Sequence, residues 1–141
     1  MTKAFLVHEP GGPESLQFEE VRVGDPGPGE VRLRHTAIGL NFIDVYFRTG
    51  AYPAPQSPFT PGLEAAGVVE AIGEDVDDLS VGDRVVLHWR PSAGIQSPPP
   101  KYRWGREEVN AGWVTTFNTH AVVSENRLTV IPENLDSRVA T

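Results

Sequence analysis

Proline and glycine decide how long any regular element of this chain can be. Fourteen glycines and thirteen prolines occur in 141 residues, many of them in clusters. The clusters are Pro10-Gly11-Gly12-Pro13, Asp25-Pro26-Gly27-Pro28-Gly29, the spaced prolines Pro53, Pro55, Pro58 and Pro61, and Pro98-Pro99-Pro100. Glycine supplies positive φ, whereas proline fixes φ near about −65° and has no N–H, so each cluster stops a helix or strand. The intervals between clusters are short and read as strands. Lys3–His8 carries Ala4-Phe5-Leu6-Val7, and Leu16–Val23 alternates through Leu16, Phe18, Val21 and Val23. Glu30–Ile38 puts Val31, Leu33 and His35 on one face and Arg32, Arg34 and Thr36 on the other. Leu63–Ile72 is rich in small residues (Ala65, Ala66, Gly67), which permits close backbone approach. Asp83–Trp89 opposes Val85 and Leu87 to Val86 and His88. Trp113–Ser124 and Arg127–Ile131 complete the series. The expected fold is mainly β, in one domain over residues 1–141, with His35 as a residue of the sheet wall.

Asn41–Arg48 changes period. Phe42, Ile43, Tyr46 and Phe47 recur at helical spacing, with Gly50 as a suitable stop. On such a turn Asn41, Asp44 and Arg48 share a side, and Asn41 is also suited to capping it. Tyr52–Pro61 is an extended loop. Residues 87–111 form an extended lobe, in which Pro91–Ala111, about 20 residues, has no regular pattern, unusual inside a compact domain. Its triple proline and the mixed-charge KYRWGREE offer a stiff surface excursion or a polyproline ligand for a partner. Residues 133–141 read as the start of a linker helix that is cut off.

Composition excludes several classes. There is no cysteine, so disulfides, thiolate nucleophiles and sulfur-ligated zinc are ruled out. The four histidines show no ligand spacing. A net charge of −7 argues against a nucleic-acid partner. No run approaches the ~18 apolar residues of a membrane span. The start MTKAFLVHEP is not a signal peptide, and a cytoplasmic location is expected.

The order of NFIDVYFRTGAYP, PGLEAAGVVEAIGEDV and VGDRVV resembles the medium-chain dehydrogenase/reductase superfamily. Met1–Val86 looks most like its quinone oxidoreductase branch. HWRPSAGIQSPPPKYRWG and NAGWVTTFNTHAVVSENRLTVIP look closer to zinc-type alcohol dehydrogenases, with a seam near Val85-Val86. The resemblance implies a GroES-like catalytic domain, a partly open β-barrel with short helices. In the zinc branch the short helix begins with a cysteine ligand, and a Gly-His-Glu motif supplies a histidine ligand. Here Asn41 and Leu63 stand at those places, and an amide with an aliphatic side chain does not replace a thiolate and an imidazole on Zn²⁺. No catalytic metal is expected.

The resemblance further implies that Asn41 lies near the nicotinamide of NADPH, with Asp44, Tyr46 and Tyr52 along the cleft of a quinone or other carbonyl substrate. A tyrosine hydroxyl is a suitable donor to an oxygen gaining negative charge. Each residue also has a plain structural reading: Tyr46 as core, Asp44 bonded to nearby backbone or to Arg48, Glu64 paired with Arg84. A strand followed by G-x-G-x-x-G and a helix is absent, so no Rossmann domain is expected in this chain. Alone it is expected to bind NADPH poorly and to be inactive without a cofactor domain. A homodimer or a separate cofactor-binding chain is the expected protein partner. The alternatives are a fragment of an alcohol dehydrogenase-like oxidoreductase, or a non-catalytic barrel that docks a partner through Pro98–Trp104.

Overall fold

The computed structural model describes residues 1–54, 56–88, 103–104, 106–108 and 115–141. In chain order the elements are β1 (Thr2–Val7), β2 (Leu16–Val21), β3 (Glu30–Ile38), α1 (Phe42–Thr49), β4 (Ala65–Ile72), β5 (Arg84–Leu87), β6 (Arg103–Trp104), β7 (Glu107–Glu108), β8 (His120–Ser124), β9 (Leu128–Val130) and α2 (Ser137–Ala140). Most of the 87–111 lobe, including Pro98-Pro99-Pro100, and the Trp113 end of the last long strand lie outside the described residues.

Strands β8-β3-β4-β5-β9 form one antiparallel sheet, and β1 pairs with β2. The two sheets are stitched by backbone bonds. Val7 and Phe59 exchange N–H···O bonds of 2.8 and 3.1 Å, and the Phe5 N–H donates to the Phe117 carbonyl at 2.8 Å. The fold is mainly β, and among the described residues the strands do not close into a barrel.

Alternation places the core as the sequence suggests. Val31, Leu33, Val85 and Leu87 are buried with Ala4, Leu6, Val69 and Val123 between the sheets. A second cluster, Val7, Phe47 and Phe59, sits beneath α1. The backbone departs from the simple pattern at β3. Its register against β4 shifts between Arg32 and Leu33 and again between His35 and Ala37, although the inward-outward alternation of its side chains runs on to the exposed Ile38. The described part of the last long strand, β8, begins at His120. The segment before it is shared between partners: Phe117 N–H bonds Pro61 O and Thr119 N–H bonds Lys3 O, while the Thr119 carbonyl still accepts the His35 N–H of β3 at 2.9 Å. Gly73 allows the tightest approach: a Cβ there would stand 1.8 Å from the Gly27 carbonyl oxygen.

His35 is a wall residue. Its Nδ1 faces the Asn118 carbonyl oxygen at 3.0 Å and therefore carries the ring hydrogen, while Nε2 is buried without a hydrogen-bond partner. Burial lowers its pKa to about 4; the bond to the Asn118 backbone opposes this, and His120 adds to it. Below the unfolded value of 6.5 the unfolded chain takes up the proton more readily than the native one. The stabilisation is therefore fully present above that value and is lost as pH falls through about 4. We expect the unfolding free energy of the wild type to fall by up to roughly 3 kcal/mol more than that of His35→Gln across this window. Urea titrations at stepped pH measure it; parallel profiles for the two proteins would contradict it.

Candidate active site

The site is built on the short stretch that carries α1. Asn41 is its N-cap and forms a capping box with Asp44. The Asp44 carboxylate accepts the Asn41 backbone N–H at 2.8 Å, and Asp44 N–H donates to the Asn41 carbonyl at 3.0 Å. Gly50 ends the helix at φ 79°, a left-handed position that glycine takes without strain. Arg48 does not pair with Asp44; its guanidinium donates to the Gly11 carbonyl and ties the helix end to the first turn of the chain.

Asp44 is buried at 3% exposure, and its second carboxylate oxygen accepts the Gly62 N–H at 3.0 Å. This bond crosses eighteen residues and fixes the turn that leads into β4. Gly62 has φ 110°, and a Cβ there would meet the Thr116 backbone nitrogen at 2.6 Å, so neither backbone nor space admits another residue. Burial pushes the Asp44 carboxyl above its ordinary range, the two backbone bonds pull it back, and the Glu64 charge adds a smaller push upward.

Glu64 does not pair with Arg84. Arg84 instead donates to the carbonyls of Glu133 and Leu135 and to the Ser137 hydroxyl, holding the chain before α2. Glu64 accepts from the Asn41 side-chain nitrogen at 2.9 Å. Asn41, Asp44, Gly62 and Glu64 are thus one connected group.

Tyr46 and Tyr52 occupy a different face. Neither is core; they are 42% and 47% exposed. Their ring centroids lie 5.2 Å apart, edge to face, and the Tyr52 N–H donates to the Tyr46 carbonyl at 3.1 Å. The helical stripe seen in the sequence splits here: Ile43 and Phe47 pack inward, while Phe42 and Tyr46 stay exposed. Leu40 and Phe42, at 74% and 81% exposure, flank Asn41; spacing puts Phe42 in the helical stripe, but it is apolar surface, as is Leu40, which the sequence reading does not single out. Among the described residues no three His, Asp or Glu side chains gather to hold a metal ion. Nor is any described helix long and apolar enough to cross a membrane.

Comparison with known proteins places this geometry. The alcohol dehydrogenase GroES-like domain family matches residues 27–133, and the chain belongs to that family. Within the medium-chain dehydrogenase/reductase superfamily it falls in the quinone oxidoreductase branch. A quinone oxidoreductase of Pseudomonas aeruginosa is 56% identical over 81 residues, which is 57% of this chain and 25% of that protein. An alcohol dehydrogenase of a Moraxella species is 34% identical over 141 residues, which is 96% of this chain and 41% of that protein. The crystal structure of Escherichia coli quinone oxidoreductase complexed with NADPH superposes with a TM-score of 0.70 and 29% identity, over 96% of this chain and 35% of that one. The chain therefore spans between a quarter and about two fifths of the length of these relatives.

Asp44→Asn replaces an acceptor of two N–H groups by an amide that serves only one of them without placing an NH₂ against a donor. We expect it to lower unfolding free energy by about 2 kcal/mol. Tyr46→Phe and Tyr52→Phe, on exposed hydroxyls, are expected to stay within about 0.5 kcal/mol of wild type. Denaturant midpoints measure both, and an Asp44→Asn protein as stable as wild type would contradict the account of this group.

Proposed function

We propose that the chain is the catalytic-domain portion of a zinc-independent, NADPH-dependent oxidoreductase that reduces quinones or related enones and other carbonyl compounds. The observation that carries the reading is the pairing of an Asn41 carboxamide at the head of α1 with two neighbouring, exposed tyrosines, in a chain of the quinone oxidoreductase branch.

The residues present fit the nicotinamide end of the cofactor. Exposed apolar and aromatic side chains at Leu40, Phe42, Tyr46 and Tyr52 offer faces for a flat ring, and Asn41 offers an amide for a carboxamide. They do not supply a pyrophosphate cradle, which a second domain or chain has to provide. When bound, reduced nicotinamide supplies the hydride. The tyrosines stack against the acceptor and donate to the oxygen on which negative charge grows. Asp44 acts as a positioning residue, because its buried carboxylate is already held by two backbone N–H groups. The zinc-independent part rests on the donor set: Leu63 has no lone pair, and the Asn41 amide is engaged with Glu64.

A second reading, an alcohol dehydrogenase-like oxidoreductase, is favoured by the Moraxella relative that aligns with nearly the whole chain. Steady-state kinetics separate the two when the chain is supplied with a dinucleotide-binding domain of a quinone oxidoreductase. Quinone-dependent NADPH oxidation, unaffected by a chelator and reduced roughly a hundredfold by removing the donating tyrosine hydroxyl, is expected. Alcohol oxidation that requires added zinc would overturn the proposal in favour of the second reading.

A further inference from the structure

The proposed function leaves one charged group unused. Glu64 lies at the mouth of β4, and its carboxylate accepts from the Asn41 side-chain nitrogen at 2.9 Å. A carboxylate only accepts, so the nitrogen of the Asn41 amide, and not its oxygen, faces Glu64. The Asn41 backbone is held separately, with its N–H on the Asp44 carboxylate and its carbonyl accepting the Asp44 N–H. The nitrogen end of the carboxamide is thereby assigned, and one Nδ2 hydrogen remains beyond the Glu64 bond. The room for this arrangement comes from Gly39, where a Cβ would stand 2.4 Å from the Glu64 Oε1 and 2.6 Å from its Cγ. Gly39 and Glu64 are further joined by a backbone bond of 3.2 Å.

We propose that Glu64 is a positioning residue that locks the Asn41 carboxamide nitrogen-outward, so that Asn41 presents a single neutral N–H donor to a carbonyl oxygen of the bound ligand. This rests on the functional reading above and deepens it. The site selects an acceptor oxygen, from a nicotinamide carboxamide or from a quinone. The outward Asn41 nitrogen offers no lone pair to a metal ion or to a donor group. Gly39 keeps the lock by leaving the Glu64 carboxylate where it is.

The test uses the full chain with ¹⁵N label and follows the Asn41 side-chain NH₂ pair by NMR. Nicotinamide and a tetramethyl-substituted benzoquinone serve as separate probes. In the wild type one Asn41 proton is expected to be shifted downfield and slow to exchange, and the other to move on addition of a probe. The probe that moves it identifies which carbonyl is received. Glu64→Gln and Gly39→Ala, the second leaving both side chains of the bond unchanged but pushing the Glu64 carboxylate out of place, should each abolish the downfield shift and weaken the probe response roughly tenfold. The double variant Asn41→Asp/Glu64→Gln reverses donor and acceptor. Its probe binding is read from the backbone amides of α1, since an aspartate at position 41 has no side-chain NH₂ signal. It should regain the stability lost in Glu64→Gln without regaining probe binding, because an aspartate has no N–H to offer; a merely structural bond would restore both. Unchanged Asn41 signals in Glu64→Gln and Gly39→Ala, or a full probe response in the double variant, would overturn the positioning role. A wild-type Asn41 pair that is shifted and protected yet moves with neither probe would overturn the functional reading and the donor role with it, leaving Glu64 as a structural partner only.

Discussion

Two backbone N–H groups on one buried carboxylate hold this site together. Asp44 accepts from Asn41, at the head of its own helix, and from Gly62, at the turn into β4. Desolvating a carboxylate is costly, and the cost is visible in the raised pKa of the group. The two charge-assisted bonds offset it, each contributing about 1.5–3 kcal/mol. They also close a loop of proline-rich chain whose own backbone has few partners. A helix of eight residues is too short to be stable alone. It persists here because its head is clamped by Asp44, its tail is fixed to Gly11 through Arg48, and its inner face rests on Val7 and Phe59.

This clamp separates support from chemistry within one short segment. The inward side of α1 carries Ile43, Asp44 and Phe47, which bind the helix to the sheets. The outward side carries Phe42 and Tyr46, with Tyr52 brought alongside by the turn after Gly50. Asn41 stands where the two meet, with its backbone in the clamp and its side chain on Glu64. The groups that the proposed function turns to a ligand are thus mounted on a framework whose polar atoms are already engaged. That arrangement suits a site whose task is orientation rather than metal-assisted activation.

The strands were legible because alternation and the proline-glycine clusters act locally. β3 was read with the bounds it has, and Val31, Leu33, Val85 and Leu87 face inward as their spacing requires. The helix at Asn41, with its stop at Gly50, was legible for the same reason. Contacts between distant segments were not. Spacing alone put Asp44, Asn41 and Arg48 on one side, yet Arg48 reaches the Gly11 turn and Asp44 reaches Gly62. Glu64 was matched with Arg84 by charge, whereas the fold gives Glu64 to Asn41 and Arg84 to the segment before α2. The start of β8 at His120 is also hidden, because residues 115–119 divide their backbone bonds among β1, Pro61 and β3, segments that lie far away in the chain.

Amide hydrogen exchange at Gly62 tests the clamp most directly. Its N–H sits in a loop, where exchange is ordinarily fast, but here it donates to a buried carboxylate. The account requires Gly62 to exchange as slowly as the Val69 and Leu33 amides of the central sheet, and to lose that protection selectively in Asp44→Ala. Exchange at Gly62 as fast as at the exposed turn residues near Gly24 would show that Asp44 does not hold β4 to the helix.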